Sequence, residues 1–231
     1  MAKKKLTLKE FTTAFKRIKK LGFVRSRRRG PTGIGHCLET LLGISEDNIA
    51  LPDLHKAELK AHRIGSSSMI TLFTFNRKAW KMNPLQAIQK YGTRDRNGRL
   101  GLYFTMSLAP NSQGLFLHTD ERIVSVRHIS GEVIAEWQLD DLKKQFLKKM
   151  PALLLVSAFC EERDGVEWFH FSSARLLTNT SEDTLLNQLR SGNILVDLRL
   201  HDRGTSARNH GTGFRTYEDK LPQLFNNIKK L

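Results

Sequence analysis

The 231-residue chain predicts a mixed α/β fold: a central mixed β-sheet flanked by helices, one continuous domain over 1–231, with two lobes facing a cleft. Three observations predict it. Helical stretches with clear end signals alternate with short strand-like stretches. No internal repeat or low-complexity linker divides the chain. The longest apolar run, "ALLLVSAF" (Ala152–Phe159), has the length of a strand and falls well short of the ~20 residues that span a bilayer.

The elements follow in order. Thr7 and Glu10 form a capping box for a helix ending at Gly22, with Phe11, Ala14, Phe15, Ile18 and Leu21 on one face. "RSRRRGPTGIG" (Arg25–Gly35) is a basic, glycine-bearing loop. It opens a helix from Ile34 to Leu42 that Gly43 closes. A turn region around Pro52 precedes the strands "KAELKAHR" (Lys56–Arg63) and "MITLFTF" (Met69–Phe75). Pro84 starts and Gly92 ends the next helix. Antiparallel strands fill Leu100 to Ile129. The strand "EVIAEWQL" then runs into a basic helix, Asp140 to Lys149. A hairpin turns at Asp164–Gly165. The capped helix Ser181–Gly192, one strand "NILVDLRLH", a glycine-rich loop Asp202–Arg215 and a final helix from about Tyr217 to Lys230 complete the chain.

Composition narrows the partner. Thirty-eight Lys and Arg against 23 Asp and Glu give a net charge of +15. Such a surplus suits a polyanion: DNA, RNA or an acidic membrane. The membrane is the weakest of these, because no basic amphipathic helix has a Trp- and Phe-rich opposite face. The plainer reading is a basic protein kept soluble by its charge. Two widely spaced cysteines, Cys37 and Cys160, among apolar neighbours read as reduced core residues. No signal-peptide pattern marks the N-terminus, so a cytoplasmic protein is expected.

One stretch carries chemistry. Residues two apart in a strand share a face, so Glu58 and Lys60 project together and Asp53, just before the strand, can bend to meet them. Paired carboxylates bind a hard divalent cation through oxygen. Such a cation beside an ammonium activates water and steadies a phosphorane-like charge, which fits phosphodiester hydrolysis. By itself the pattern also fits a solvated edge strand. A second Glu-x-Lys, Glu218–Lys220, falls at a predicted helix start, where positions two apart do not share a face. Glu39 lies near the packed face of the helix after the basic loop, where a carboxylate needs a partner. A cation shared with Asp53 or one of the preceding arginines would supply it.

These residues resemble a known family. "TGIGHCLETLLG … PDLHKAELKAHR" is similar to the PD-(D/E)xK nucleases, and within them to the MutH-like restriction endonucleases of the MvaI/BcnI branch. Gly33, Gly35, Glu39, Gly43, Pro52, Asp53, Glu58 and Lys60 carry the match. "RLHDRGTSARNHGTGFR" extends it to the second half, while roughly 95 to 190 match only loosely. The resemblance implies a PD-(D/E)xK core with a second lobe forming a DNA-binding cleft, and catalytic residues within about 25–80. Asp53 and Glu58 would ligate Mg²⁺ with the Leu59 carbonyl. Lys60 would position water or steady the transition state, and Glu39 would be an accessory acid. Mn²⁺ would substitute, and Ca²⁺ would support binding without cleavage.

The loop 199–215 is the second constellation. Arg199, His201, Arg203, Arg208, Asn209, His210, Thr212 and Arg215 stand there against one acid, Asp202. Arginine forks bridge guanine O6 and N7, and threonines contact phosphates. Arg208, Asn209 and His210 are the expected base contacts, with His210 at the centre of the target favouring G·C. Arg25, Arg27, Arg28 and Arg29, with Thr32 and Gly33, are expected to hold phosphates near the active site; a basic linker is the competing reading of the arginines. His62 flanks the motif and can reach DNA. Lys143, Lys144, Lys148 and Lys149 read as a solvated helix face. His118, His128 and His170, and the aromatics Phe73, Phe75, Phe104, Trp137, Trp168 and Phe169, read as structural.

By resemblance, the expected activity is a Mg²⁺-dependent type II restriction endonuclease. It would cut double-stranded DNA at a short GC-rich pseudopalindrome of CC-N-GG type, one strand at a time, as a monomer without protein partner. A cognate methyltransferase would accompany it. The alternatives are a MutH-type mismatch-repair nicking enzyme, and a non-catalytic module that binds DNA or RNA.

Overall fold

A computed structural model describes residues 6–44, 48–50 (backbone), 56–76 and 79–231. Asp53, with Pro52 and His55, lies outside the described residues. The elements begin β1 (Leu6–Thr7), α1 (Leu8–Lys20), β2 (Val24–Arg25), α2 (Gly33–Leu42), β3 (Asn48–Ala50), β4 (Ala57–Arg63) and β5 (Ile70–Thr74). They continue α3 (Pro84–Tyr91), β6 (Thr93–Arg94), β7 (Leu100–Leu102), β8 (Thr105–Met106), β9 (Leu115–Thr119), β10 (Ile123–His128), β11 (Val133–Gln138) and α4 (Leu139–Lys149). The remainder is β12 (Leu153–Arg163), β13 (Val166–Thr178), α5 (Glu182–Arg190), β14 (Leu195–Asp197), β15 (Leu200–Asp202), β16 (Ala207–Asn209), β17 (Gly213–Thr216), α6 (Leu221–Leu224) and β18 (Asn227–Lys230).

The chain folds into two compact units. The first comprises 1–68, 150–180 and 225–231; the second comprises 69–149 and 181–224. The first unit is built on a mixed sheet of order β1-β3-β4-β12-β13-β18, with β2 added alongside β13. β4 and β12 run parallel in its centre, and β12–β13 is the long antiparallel hairpin. Its turn residues, Asp164 (φ 51°) and Gly165 (φ 68°), both adopt the left-handed conformation that a two-residue hairpin turn needs.

One face of this sheet makes the core. Phe11, Phe15 and Ile18 of α1 and Ile34, Cys37, Leu38 and Leu42 of α2 bury against Ala57 and Leu59 of β4, Leu154, Val156 and Ala158 of β12, and Phe169 and Phe171 of β13. α1 starts at the expected capping box, Thr7 with Glu10, and Gly43 closes α2 in the left-handed conformation (φ 68°).

The second unit holds three small sheets, β9-β10-β11, β5-β17-β14-β8 and β6-β7-β15-β16. α3 is capped by Asn83 Oδ1, which accepts from Leu85 N–H at 2.9 Å, and α5 by Ser181.

Four expectations are corrected. "NILVDLRLH" is two strands in different sheets: β14 pairs with β8 and β17, then the chain switches so that β15 pairs with β7 and β16. The glycine-rich segment 202–215 is half strand rather than all loop, because β16 and β17 find partners there. The final helix shrinks to a 3₁₀ turn (Glu218–Lys220) and one turn of α6, and Asn227–Lys230 adds an edge strand to β13 instead. The paired asparagines Asn226 and Asn227, poor helix formers, stand where that strand begins. Cys160 is exposed, because it lies in the half of β12, from Phe159 to Arg163, that is exposed throughout; Cys37 is buried, and both thiols are free. Among the named aromatics Phe73, Trp137 and Phe169 are buried, whereas Phe75, Phe104 and Trp168 are half-buried. Among the described residues no helix is long and apolar enough to cross a membrane.

Candidate active site

β4 sorts its side chains by parity. Ala57 and Leu59 enter the core, while Glu58, Lys60 and His62 take the opposite face. Lys60 Nζ lies 3.4 Å from Glu58 Oε1, the side chains being 23% and 14% exposed. That is an ion pair at long hydrogen-bond distance, partly shielded from water, so its field is less screened than at an open surface. His62 is buried on the same face.

The backbone adds an oxygen. Glu58 N–H donates to Ala152 O at 2.9 Å and Ile64 N–H to Ala158 O at 2.9 Å, so the even-numbered backbone groups of β4 face β12. The Leu59 carbonyl therefore points to the other edge of the strand, past Glu58, where the described pairing with β3 ends. A carboxylate and a carbonyl on adjacent residues are hard oxygen donors of the kind that hold a divalent cation of the Mg²⁺ class, so these donors fit one. Among the described residues no three His, Cys, Asp or Glu side chains group as a metal site. Asp53, the third expected donor, lies outside them. Glu39 sits half-buried on α2, in the layer packed on the other face of the sheet. Its Oε1 lies over Gly35, 3.7 Å from where a Cβ there would stand. The structure thus joins Glu58 with Lys60 and carries Glu39 on a separate element.

The basic loop is a built structure. Arg63, at the end of β4, donates from Nε and Nη2 to both carboxylate oxygens of Glu167 at 2.9 Å, a bidentate pair. The same guanidinium reaches Gly30 O and Pro31 O at 3.3 Å and lies 5.3 Å from the Phe169 ring centroid. Ser26 N–H donates to Glu167 O, and Ser26 Oγ donates to Arg28 O at 2.6 Å. Gly33 is buried against this loop: a Cβ there would stand 2.5 Å from Arg28 O. Arg27, Arg29 and Thr32 are exposed on it. Burial pushes the Cys37 thiol up, and the nearby Arg27 guanidinium opposes the shift. Arg63 and Glu167 escaped the sequence reading because the residues they join are 104 positions apart.

In the second unit, the buried Asp197 organises the arginine-rich segment. Its Oδ2 accepts from Arg199 Nε at 2.9 Å and lies 3.1 Å from Arg215 Nε, and its Oδ1 accepts from Thr105 Oγ1 at 3.1 Å. The contact to Arg215 is close but poorly aligned, and that Nε makes no hydrogen bond among the described residues. An acid between Val196 and Leu198 was the available signal, since a carboxylate in an apolar run is buried only with partners.

β15 and β16 form a hairpin with His201 opposite Arg208. His201 is buried, and its Nδ1 lies 3.1 Å from both Tyr103 Oη and His210 Nε2, with the two imidazoles 5.0 Å apart. Gly101 lets the Tyr103 ring fold across β7, because a Cβ there would stand in the ring, within 3 Å of Cδ2. Burial lowers the His201 pKa, and Arg99, His210, Arg208 and Arg203 lower it further. Arg203, Arg208, Asn209 and His210 are exposed, and Arg199 and Arg215 half-buried. Thr212 is fully buried, its N–H donating to Asn76 Oδ1 at 3.0 Å, and its hydroxyl finds no hydrogen-bond partner among the described residues.

The family model of the MvaI/BcnI restriction endonuclease family matches residues 12–225. Among solved structures, the chain is similar to "Restriction endonuclease MvaI-cognate DNA substrate complex", with a TM-score of 0.77 and 26% identity over 96% of this chain and 97% of that one. It is also similar to "Restriction endonuclease MvaI in the absence of DNA", with a TM-score of 0.53 and 25% identity over 100% and 99%. No curated protein matches it. A PD-(D/E)xK-type α/β fold and a family match over nearly the whole chain agree: the chain belongs to the MvaI/BcnI restriction endonuclease family and is a type II site-specific deoxyribonuclease.

Proposed function

We propose that this enzyme cleaves double-stranded DNA with Mg²⁺ at a short GC-rich pseudopalindrome of CC-N-GG type. It acts as a monomer that cuts one strand at a time in the cytoplasm, beside a cognate methyltransferase. The observation that carries the reading is the Glu58–Lys60 pair on one face of β4, at 3.4 Å and partly shielded from water.

Asp53, Glu58 and the Leu59 carbonyl would hold the cation. When bound, it would supply Lewis-acid charge stabilisation and lower the pKa of water. Lys60, kept in place by Glu58, puts a positive charge where negative charge develops on the scissile phosphate. Glu39 adds an acid from α2, and His62 stands next along the same strand face. Arg27 and Arg29, with Thr32 at the start of α2, hold phosphates, Gly33 allowing the tight loop that presents them.

The second unit reads bases. Asp197 holds Arg199 and Arg215, whose free guanidinium edges suit guanine O6 and N7. Arg203, Arg208, Asn209 and His210 complete the reading surface, and the buried His201 and Thr212 support it from behind. His210 meets the central pair and favours G·C. Faster cutting of a duplex with A·T at the centre rejects that assignment.

The test of the whole reading is Asp53→Ala. It should bind DNA with Ca²⁺ but not cut plasmid with Mg²⁺, while wild type cuts and, with the ends mapped, reports its target and cleavage position. Equal cutting by variant and wild type removes the catalytic assignment.

A further inference from the structure

The face of the sheet that carries Glu58 and Lys60 continues beyond them. Leu153, Leu155 and Ser157 of β12 stand beside Glu58, Lys60 and His62 on that face, while the alternate residues enter the core. The next residue of the series is Phe159, 50% exposed. From there the hairpin carries His170 opposite Phe159 and Trp168 opposite Glu161, and β2 sets Arg25 opposite Trp168.

These residues are assembled. Arg163 lies 4.8 Å from the Trp168 ring centroid and 5.3 Å from that of Phe23, and Glu161 pairs with it at 2.6 Å. His170 packs at 5.6 Å against Phe23 and 6.2 Å against Phe159. At the end of β4, Ile64 is 42% exposed. Large apolar side chains grouped on one exposed strand surface mark a binding surface rather than a solvated one. Glu161 balances Arg163, so the exposed Arg25 beside the rings is the cation that this surface offers to a polyanion.

We propose that this face grips the sugar–phosphate backbone of the duplex flanking the target, with Arg25 on a phosphate and Phe159 and Ile64 against the sugars. The placement rests on reading Glu58 and Lys60 as the cutting pair. Lys60 is in register with Leu155, and Phe159 lies four residues further along β12, roughly 13 Å at the rise of a strand. DNA advances ~3.4 Å per base pair, so the contact falls about four base pairs from the scissile phosphate, outside a five-base-pair target. Apolar side chains against the minor-groove wall are a known way to hold or bend such a flank.

The experiment compares binding with Ca²⁺ to two duplexes carrying the same target. One ends at the edge of the target on the gripped side and the other about ten base pairs beyond it. Wild type should bind the longer duplex about tenfold more tightly, as expected for a phosphate contact with apolar support. Phe159→Ala and Arg25→Ala should each shrink that ratio towards one, and Phe159→Leu should keep most of it. Because the ratio is internal to each protein, a partly unfolded variant does not mimic the effect. A wild-type ratio near one overturns the proposal, and so does a ratio unchanged in Phe159→Ala. A change in the sedimentation of the DNA-free variant, marking a protein–protein surface, overturns it as well. Plasmid cutting by Lys60→Ala at the wild-type rate would sink the assignment of the cutting pair instead, leaving the binding ratio to be read separately.

Discussion

The fully buried carboxylate of Asp197 accepts a hydrogen bond from Arg199 Nε at 2.9 Å, and the same oxygen stands 3.1 Å from Arg215 Nε. One acid thus hydrogen-bonds the guanidinium of Arg199, between β14 and β15, and ion-pairs with that of Arg215 on β17. Asp197→Asn keeps the shape and removes the charge. It should relax discrimination against single-base mismatches by about tenfold, because the arginines lose the anchor that aims them. Asp197→Ala should in addition destabilise the protein by about 1–3 kcal/mol, a discounted figure because both arginines are partly exposed. Mismatch cleavage ratios and urea unfolding check the two effects separately. An unaltered mismatch ratio in Asp197→Asn would remove Asp197 from recognition.

Phosphate binding by the basic loop predicts a salt effect. Removing one phosphate contact lowers the slope of log K against log salt by about one, whatever the sequence of the duplex. Arg27→Ala and Arg29→Ala should each do so, and neither should change the preferred target. Titrations at several salt concentrations check this. A slope unaltered in both variants would return these side chains to the basic-linker reading.

The Glu58–Lys60 pair and the arginine-rich segment differed in how legible they were. Glu58 and Lys60 were readable because a strand has period two, and the alternation of Ala57, Leu59 and Ala61 leaves them no other face. The capping box of α1 and the turn at Asp164–Gly165 were equally local signals. Residues 195–216 misled because period two cannot tell one strand from two strands that change sheets between Asp197 and Leu200. Arg63 with Glu167, and Asp197 with Arg215, are pairings between distant segments that only the fold creates.

The Arg63–Glu167 pair predicts that the basic loop can be loosened without touching any arginine on it. Arg63→Lys exchanges a bidentate fork for a single ammonium and cannot hold Glu167, Gly30 O and Pro31 O together. It should cost about 1–2 kcal/mol of stability. Gly33→Ala acts from the other side, forcing Arg28 O away from a Cβ that would stand at 2.5 Å. Both variants should weaken DNA binding while leaving the target sequence unchanged, because the proposed base contacts lie in the other unit. Amide hydrogen exchange across residues 26–33 checks the loosening, and full protection there in both variants would refute the staple.

His201 makes stability in acid depend on one imidazole. Burial and the surrounding Arg99, His210, Arg208 and Arg203 lower its pKa in the folded protein. The unfolded chain, with an ordinary imidazole near 6.5, therefore binds a proton more readily. Stability then rises with pH wherever the unfolded state binds more protons. The contribution of His201 is fully present above the unfolded value and is lost as pH falls from that value towards the lowered folded one. A protonated His201 can only donate from Nδ1, which lies 3.1 Å from both Tyr103 Oη and His210 Nε2, and can serve one of them at a time, so the contact that positions His210 would rearrange. Discrimination should decline in the same window in which stability falls. His201→Asn should flatten the acid limb of the stability curve, measured by urea unfolding between about pH 5 and 7.5. An acid limb as steep in the variant as in wild type would assign the loss to other groups.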